Sequence, residues 1–344
     1  MERKAKSYLT ALFALVLGLL VSTLVINCIV DPLWYFRGNL ITGKNFLFDE
    51  RLSKTNLFLN QAEEYDCFIF GDSRLRLLDA SKIEGYNCFN FAFGMGQISE
   101  FFAYAAYLKA LGYRPKLIII AVNGFNFFIP DDLKEIPDFV INRTRPRSFW
   151  VNYLTLDVLG FSLRALLGLS PSPEYYRSDF SPGTLYGVAP YEPKSVENTV
   201  ANTSRMSKQG FLEKSEAYKQ IMRIFRGSEF IFYAPPVSIW RVGELIKHGA
   251  LDTYLKGIYH ISQIAPVVYD FSIPSNITRD ITRSYDGSHY DSRTNGLIAE
   301  SINSGIPKFG VRVQAKSYAD YKKQFLDRYR MFCRSPCVPA VCLP

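Results

Sequence analysis

The chain has 344 residues and a net charge of +8 at pH 7, and hydrophobic residues make up 48% of it. This fraction, together with 15% aromatic residues, favours a well-packed globular body. The basic residues are scattered without a dense Lys/Arg block, which argues against a nucleic-acid partner and fits attraction to anionic lipid headgroups or an acidic polysaccharide.

The first predicted element is a run without charged residues from Leu9 to Val30. About 20 apolar residues suffice to cross a bilayer, whereas the apolar part of a cleaved signal peptide usually has about 7–15. Because the run is longer and no small-x-small cleavage site follows it, we predict an uncleaved transmembrane anchor rather than a cleaved signal peptide. Basic residues precede the run and Asp31 follows it, which predicts a cytoplasmic tail (1–8) and a single-pass protein of the inner or plasma membrane. A connecting segment (31–64) and all later residues are then extracytoplasmic, in the periplasm.

Beyond the connecting segment, short apolar runs alternate with helical stretches. Five runs are typical of buried strands: Asp66–Phe70, Asn87–Phe93, Lys116–Val122, Glu229–Pro235 and Val267–Phe271. Helical patterns at Ile98–Leu111 and Val242–Ile261 lie between successive runs, and a third at 292–303 follows the last of them. Such alternation predicts an α/β protein with one doubly wound parallel sheet and helices on both of its faces.

Two short segments, far apart in the sequence, contain the residues of a serine-dependent reaction. Ser73 follows the first predicted strand in the string Gly-Asp-Ser-Arg, at the carboxyl end where α/β sheets place their ligands. Among the three histidines, only His289 has an acidic residue, Asp286, at a spacing that can orient the imidazole. A serine hydroxyl needs an adjacent base, so we predict Ser73 as nucleophile, His289 as base and Asp286 as its orienting partner. Each segment alone also occurs in ordinary turns or helix starts.

The order of these segments resembles the SGNH (GDSL-like) hydrolase superfamily over residues 65–305. The resemblance implies a flavodoxin-like, three-layer α/β fold and further donors to an oxyanion. Its second block supplies a glycine amide, for which both Gly94 and Gly96 fit. Its third block supplies an asparagine, for which Asn123 fits; the usual Gly-x-Asn-Asp lacks its first glycine and its last aspartate here, so Asn126 is the substitute.

The resemblance implies a catalytic domain at 65–310, with a tail at 311–344 and a long insertion at about 129–225. Within the insertion, Pro171–Tyr191 is predicted to be an irregular loop, and loops of this length are usually functional or disordered. Two interpretations of this loop stay open: a lid or acceptor-binding region, and a plain solvated loop. Three side chains in it are suited to contact a sugar: Tyr175, Tyr176 and Arg177. The stretch Asn152–Leu169 includes charged residues, which predicts an amphipathic helix rather than a second membrane span.

The chain has six cysteines, and two of them lie in the predicted strands. Cys67 and Cys88 begin strands that are neighbours if the SGNH order holds. A disulfide and a pair of small buried hydrophobic residues both fit there, and we favour the second. The last three cysteines crowd the tail, where one disulfide fits and the absence of a nearby histidine argues against zinc. We predict neither a metal site nor a cofactor.

A single amino-terminal anchor, an Asp-Pro pair after it and an SGNH-like body resemble exopolysaccharide O-acetyltransferase subunits and the D-alanine transfer protein of teichoic acid synthesis. Those relatives imply an acyl-Ser73 intermediate, a glycan acceptor and often a multi-spanning membrane O-acyltransferase as donor. The leading hypothesis is therefore an O-acetyl-type acyltransferase that acts on an envelope or exported polysaccharide. A membrane-tethered carbohydrate esterase or deacetylase and a non-catalytic polysaccharide-binding protein are the alternatives, since hydrolase and transferase share every catalytic residue.

Overall fold

The computed structural model describes residues 2–61, 65–127, 136–185, 208–314 and 316–333. The helices in these ranges are α1 (Glu2–Val30), α2 (Glu50–Asn60), α3 (Ile98–Ala110), α4 (Asp138–Ile141), α5 (Phe149–Tyr153), α6 (Leu156–Leu166), α7 (Lys208–Ile224), α8 (Ile239–Lys247), α9 (Leu251–Ser262), α10 (Asn276–Arg279), α11 (Ser292–Ser304) and α12 (Tyr318–Cys333). The strands are β1 (Asn45–Phe46), β2 (Cys67–Gly71), β3 (Cys88–Ala92), β4 (Leu117–Ala121), β5 (Glu174–Tyr176), β6 (Pro182–Thr184), β7 (Glu229–Ala234), β8 (Val268–Asp270) and β9 (Val311–Arg312).

The chain divides into two compact units, which we call the anchor unit and the sheet unit. The anchor unit comprises Met1–Ala62 and Thr144–Leu185, and the sheet unit comprises Glu63–Arg143 and Tyr186–Pro344. The described residues of the expected insertion at 129–225 are therefore shared between the units. Thr144–Leu185 packs on the amino-terminal residues, whereas α4 and α7 pack against α3 in the sheet unit.

The sheet unit contains a six-stranded sheet in the order β3-β2-β4-β7-β8-β9. Neighbouring strands from β3 through β8 pair in parallel, and β9 closes the edge antiparallel to β8. The parallel part has the flavodoxin-like order 2-1-3-4-5. The α/β prediction is confirmed, and each of the five predicted strands overlaps an observed one.

Helices cover both faces of this sheet because successive side chains of a strand point to opposite faces. Phe70 packs against Phe101 of α3, with ring centroids 6.3 Å apart. Ile69, the preceding residue in β2, belongs to a buried cluster with Ile298 of α11 on the other face. The apolar run of β2 is thus a strand buried on both sides, as parallel strands in α/β proteins are.

The prediction that Cys67 and Cys88 remain two unpaired hydrophobic residues is wrong. They form a disulfide, because the parallel register of β2 and β3 places them directly opposite each other with Cα atoms 4.2 Å apart. Cys333 is also disulfide-bonded. Cys337 and Cys342 lie outside the described residues.

The single helix predicted at Val242–Ile261 is in fact two helices, α8 and α9. Gly249 interrupts them with a φ of +64°, a backbone conformation that favours glycine. The amide of Gly249 donates to the carbonyl of Ile246, and that of Ala250 donates to the carbonyl of Leu245. These two bonds form a Schellman motif, which ends α8 and starts α9 in a new direction.

In the anchor unit, α1 is long and apolar enough to cross a membrane. A small antiparallel sheet of β1, β5 and β6 follows from pairing of residues far apart in sequence, such as Asn45 with Tyr176. The described part of the predicted irregular loop at Pro171–Tyr191 is therefore a hairpin; residues 186–191 lie outside the described residues. The predicted amphipathic stretch at Asn152–Leu169 contains the end of α5 and the whole of α6, whose start is capped by the hydroxyl of Thr155.

Candidate active site

The candidate nucleophile lies at the carboxyl end of β2. The strand ends at Gly71, and a single 3₁₀ turn begins at Ser73. Asp72 caps this turn, since its side chain accepts a hydrogen bond from the amide of Arg74 at 3.0 Å. The turn therefore presents Ser73 at the edge of the sheet where parallel α/β folds bind their ligands.

Ser73, His289 and Asp286 form a continuous hydrogen-bonded row. The Oγ of Ser73 lies 2.7 Å from Nε2 of His289, and Nδ1 of His289 lies 2.7 Å from Oδ2 of Asp286. A carboxylate accepts only, so Asp286 selects the tautomer with a proton on Nδ1. Nε2 is then an acceptor for the serine proton, which is the arrangement that activates a serine hydroxyl.

The second oxygen of Asp286 is held by the backbone of its own turn. Oδ1 accepts from the amides of Ser288 and His289, each at 2.8 Å. Burial alone would raise the pKa of this carboxyl, but the hydrogen bond and charge of His289 and the two amides outweigh burial and hold the pKa well below the usual range. Asp286 is therefore ionised at neutral pH, ready to stabilise an imidazolium.

Contacts outside the row fix the loop that carries it. The carbonyl of Gly287, which has a φ of +79°, accepts from the amide of Ser238 at 2.9 Å. Arg241 donates to the carbonyl oxygen of Asp286 at 3.3 Å. The ring of Tyr285 stacks on the imidazole of His289, with centroids 5.2 Å apart and planes inclined by 7°. The segment after β7 and the start of α8 thus hold His289 in one orientation.

Asn123 occupies the position beyond β4 that the sequence predicts for the third block. Its Oδ1 accepts from Nη1 of Arg74 and from the amide of Phe125, each at 3.0 Å. Its Nδ2 donates to Oδ2 of Asp72 and, at 3.3 Å, to Oδ1 of Asn126. Two donors on one side and two acceptors on the other determine which end of the amide is oxygen. The side chain is 6% exposed and tied directly to the turn that carries Ser73.

Asn126 lies one 3₁₀ turn further along the chain, where its amide donates to the carbonyl of Asn123. Its side-chain oxygen accepts from Asn123 through the longer of the two bonds made by Nδ2. The structure therefore places Asn123 against the nucleophile turn and Asn126 behind Asn123.

The two glycines of the second block have different surroundings. The amide of Gly96 donates to the carbonyl of Phe93 at 3.1 Å, and a Cβ on Gly96 would lie 2.6 Å from the carbonyl oxygen of Gly71. Gly96 therefore permits a close approach to the end of β2. Gly94 begins the preceding turn, in which Met95 has a φ of +54° and is 64% exposed. The Gly96 amide is thus engaged within this turn, and both glycines stay candidates for the amide donor.

The other two histidines and the three residues suited to contact a sugar have different surroundings. His248 is next to Glu244, with 3.2 Å between Nε2 and Oε2, and His260 makes an edge contact with Phe211. Tyr176 was predicted to contact a sugar, but it is 2% exposed because its ring stacks on Phe180 at 4.6 Å. Tyr176 is thus part of the core of the anchor unit; Tyr175 is half-buried and Arg177 is exposed.

Sequence reasoning did not find Arg74, Tyr285 or Arg241. Arg74 follows the nucleophile directly, and its guanidinium lies 4.8 Å from the centre of the Phe125 ring while donating to Asn123. Its position beside Ser73 was the one available signal. Tyr285 likewise directly precedes Asp286, whereas Arg241 reaches the site only through the fold. Among the described residues, no cluster of three or more His, Cys, Asp or Glu side chains is arranged to hold a metal ion.

Comparison with known proteins gives little beyond this geometry. No protein-family model matches the chain, and no curated protein matches it. Among solved structures, a candidate acylhydrolase from Bacteroides fragilis is similar at 12% identity and a TM-score of 0.35, covering 75% of this chain and 96% of that chain. At this level of similarity, the functional argument depends on the site itself.

Proposed function

We propose that this protein is a membrane-anchored serine acyltransferase that acylates hydroxyl groups of an envelope or exported polysaccharide on the extracytoplasmic side. The observation that carries the proposal is the row Ser73–His289–Asp286, with both side-chain distances at 2.7 Å. A surface serine or a helix-capping aspartate would not need this arrangement. A non-catalytic polysaccharide-binding protein would not need this hydrogen-bonded row either.

In the proposed first half-reaction, Oγ of Ser73 attacks the carbonyl carbon of an acyl donor while Nε2 of His289 takes its proton. The carbonyl π electrons move to oxygen, giving a tetrahedral oxyanion. Collapse of this intermediate breaks the bond to the leaving group, which takes the proton from His289, and an ester on Ser73 remains. Asp286 keeps the proton on Nδ1 and stabilises the imidazolium as it forms.

In the second half-reaction, His289 accepts the proton of a sugar hydroxyl as its oxygen attacks the acyl-Ser73 carbonyl. Collapse then returns the proton to Ser73 and releases the O-acylated glycan. The same steps with water as acceptor constitute an esterase. The side chain of His289 is 22% exposed, which leaves the base accessible from solvent for either acceptor.

The proposed oxyanion donors are the amide of Ser73, the amide of Gly94 or Gly96, and the side chain of Asn123. Both N–H groups of Asn123 already have acceptors, Asp72 and Asn126. The bond to Asn126 is the weaker one by its 3.3 Å length, so the proposal requires that the developing oxyanion replaces Asn126. Asp72, which is buried and accepts from Nδ2 of Asn123, would keep the amide aimed at the site.

The proposed location has two independent supports. The charge asymmetry around α1 favours a cytoplasmic amino end. The disulfide between Cys67 and Cys88 belongs to the sheet unit, and such bonds persist mainly in oxidising compartments such as the periplasm. A multi-spanning O-acyltransferase is the proposed acyl donor, since the chain itself would carry only the acyl-serine step.

The test is to incubate the full-length protein in detergent with an activated acetyl ester, with and without a polysaccharide acceptor. Mass spectrometry should find an acetyl group on the peptide that carries Ser73. Acetyl transfer to sugar faster than release of acetate supports the acyltransferase, and acetate release unaffected by sugar supports the esterase. Absence of any acetyl-Ser73 on protein that remains folded would refute the serine mechanism.

A further inference from the structure

The end of the amino-terminal helix is covered by α5 and α6. Asn27 of α1 donates through Nδ2 to the carbonyl of Tyr153 at 2.9 Å, and the hydroxyl of Ser162 donates to Oδ1 of Asn27 at 2.7 Å. Val30 belongs to a buried cluster with Ala165 of α6. Both polar ends of Asn27 are therefore satisfied by the two short helices, as a polar side chain inside a membrane requires.

The length of α1 determines how deep this contact lies if the helix spans a membrane. The hydrocarbon core is about 30 Å thick, which takes about 20 residues at 1.5 Å each. The uncovered, uncharged part of α1 runs over residues 7–22 and is about 24 Å long at that rise. The rest of the hydrocarbon thickness must be spanned by the stretch from Thr23 to Asn27, two residues that are buried against the rest of the anchor unit. The helices that cover them consequently reach the depth of the outer hydrocarbon boundary.

Around its axis, α6 has three different faces. The face that packs inward contains Val158, Ser162 and Ala165, which are buried. Asp157 and Arg164 are exposed and, seven residues apart, lie on one polar stripe. The third face is apolar yet exposed, with Leu156 at 76% and Leu167 at 74%. Large hydrophobic side chains exposed over α5, α6 and their flanks are Trp150, Val151, Leu154, Leu156, Leu163, Leu166, Leu167 and Leu169.

An apolar surface of this kind needs a partner, and its neighbourhood indicates which one. It adjoins the end of α1, whose own exposed side chains, Val25 and Ile29, would face lipid. Trp150 is a residue typical of membrane interfaces, and Arg145 and Arg147, exposed just before α5, suit anionic headgroups. In α6, exposed leucines on one face and charges on another are the pattern of a helix that lies in the interface plane.

We infer that α5 and α6 form a second membrane-bound element, embedded by this apolar face in the extracytoplasmic leaflet beside the anchor. The inference rests on the proposed membrane anchoring of α1 but not on the proposed chemistry. The occupant of the face is the acyl-chain region of the bilayer, while the stripe of Asp157 and Arg164 stays at the headgroup level. This element would hold the whole anchor unit at a defined depth, which a single flexible anchor does not.

The test uses full-length protein in vesicles of phosphatidylglycerol and phosphatidylcholine whose acyl chains carry bromine, which quenches tryptophan fluorescence on contact. Of the three tryptophans, Trp34 and Trp240 are buried in protein at 1% and 5% exposure, so Trp150 reports on the surface. We expect strong quenching of the wild type and loss of most of it in Trp150→Phe. Flotation of the vesicles with the protein checks the anchor separately, so failed anchoring is not mistaken for a wrong surface.

Two paired variants in the Trp150→Phe background test the orientation of α6. Leu167→Trp on the apolar face should restore quenching by brominated lipid, whereas Asp157→Trp on the polar stripe should be quenched mainly by aqueous iodide. Both positions are exposed, so neither change disturbs the core. Equal lipid quenching of wild type and Trp150→Phe would overturn the inference. Quenching of Leu167→Trp by iodide alone would also overturn it. Quenching of Leu167→Trp by neither brominated lipid nor iodide would overturn it too, because protein would then cover the apolar face.

Discussion

The hydroxyl of Ser73 and Nε2 of His289 lie 2.7 Å apart although 216 residues separate them in the chain. Ser73 follows the second strand of the sheet order, and His289 precedes α11, which packs on one face of that sheet. The two residues meet because the parallel strands all end at one edge, where the loop of His289 also lies. Their contact is the starting point for the predictions about activity.

Ser73, His289 and Asp286 should act as one unit. We expect Ser73→Ala and His289→Ala each to lower turnover of an activated ester by at least about 10³-fold, and the double variant to be little worse than either. Asp286→Asn should cost about 10²-fold or more, since it removes the charge behind the imidazole and the correct tautomer. Steady-state rates and trapping of the acyl-enzyme measure these effects. Ser288→Ala is the matched control, because its buried hydroxyl has no hydrogen-bond partner; a folded, fully active Ser73→Ala protein would contradict the mechanism.

Asn123 and Asn126 should differ in their effect on acylation. Asn123→Ala should slow acylation by about 10²–10³-fold, the usual cost of one oxyanion donor. Asn126→Ala should have a much smaller effect, because its side chain only accepts the long bond from Asn123. Single-turnover acylation with a chromogenic ester distinguishes the two. The reverse order of effects would mean that the third block is shifted by three residues. If neither substitution slows acylation, the assignment of a third block to this chain is wrong.

Acid should abolish a stabilising contribution of Asp286. Burial raises the pKa of this carboxyl, but the hydrogen bonds from His289 and the turn amides lower it below the ordinary value of 3.8. A group with a lowered folded-state pKa stabilises the fold above its unfolded pKa and loses that effect as the pH falls towards the folded value. Asp286→Asn should therefore lower the urea midpoint at pH 7, and the difference from wild type should shrink below about pH 4. A difference that stays constant down to acid pH would contradict this linkage.

Removal of the disulfide between β2 and β3 should destabilise the sheet unit. Its cysteines are 21 residues apart, and closing a loop of this size is worth about 2–4 kcal/mol. Thermal unfolding of a Cys67→Ser/Cys88→Ser variant should show a lower Tm than the wild type. Cys28→Ser is the control, since Cys28 is a free thiol. An unchanged Tm in the double variant would mean that the bond adds nothing to stability.

The carboxyl end of the chain should lie outside the cytoplasm. The basic residues before α1 and Asp31 after it predict this orientation. A reporter that is active only in the cytoplasm should be silent when fused after Pro344, and one active only in the periplasm should work. Activity of the cytoplasmic reporter would reverse the topology and with it the proposed site of action.

Features that depend on near neighbours in the chain could be read from the sequence. The spacing of Asp286 and His289 allows the turn to bring both side chains together, and the apolar run of Cys67–Gly71 specifies a strand buried on two sides. The length of the uncharged run at Leu9–Val30 likewise identifies a membrane-length helix without any tertiary information. In each case the controlling forces act within a few residues or on the mean polarity of a segment.

Features that depend on pairing across the chain were decided by the tertiary structure alone. Cys67 meets Cys88 only because the register of two parallel strands places them opposite, and Tyr176, besides stacking on Phe180, joins the core of the anchor unit because β5 pairs with β1, 131 residues away. The partners of Asn123 likewise come from two different turns, one of them 49–51 residues earlier in the chain, so no spacing in the sequence reveals that both of its N–H groups are engaged. Local patterns fix which segments become strands, helices and turns. Buried polar groups, however, find their hydrogen-bond partners in other segments, and those partners come into reach only once the sheet has formed.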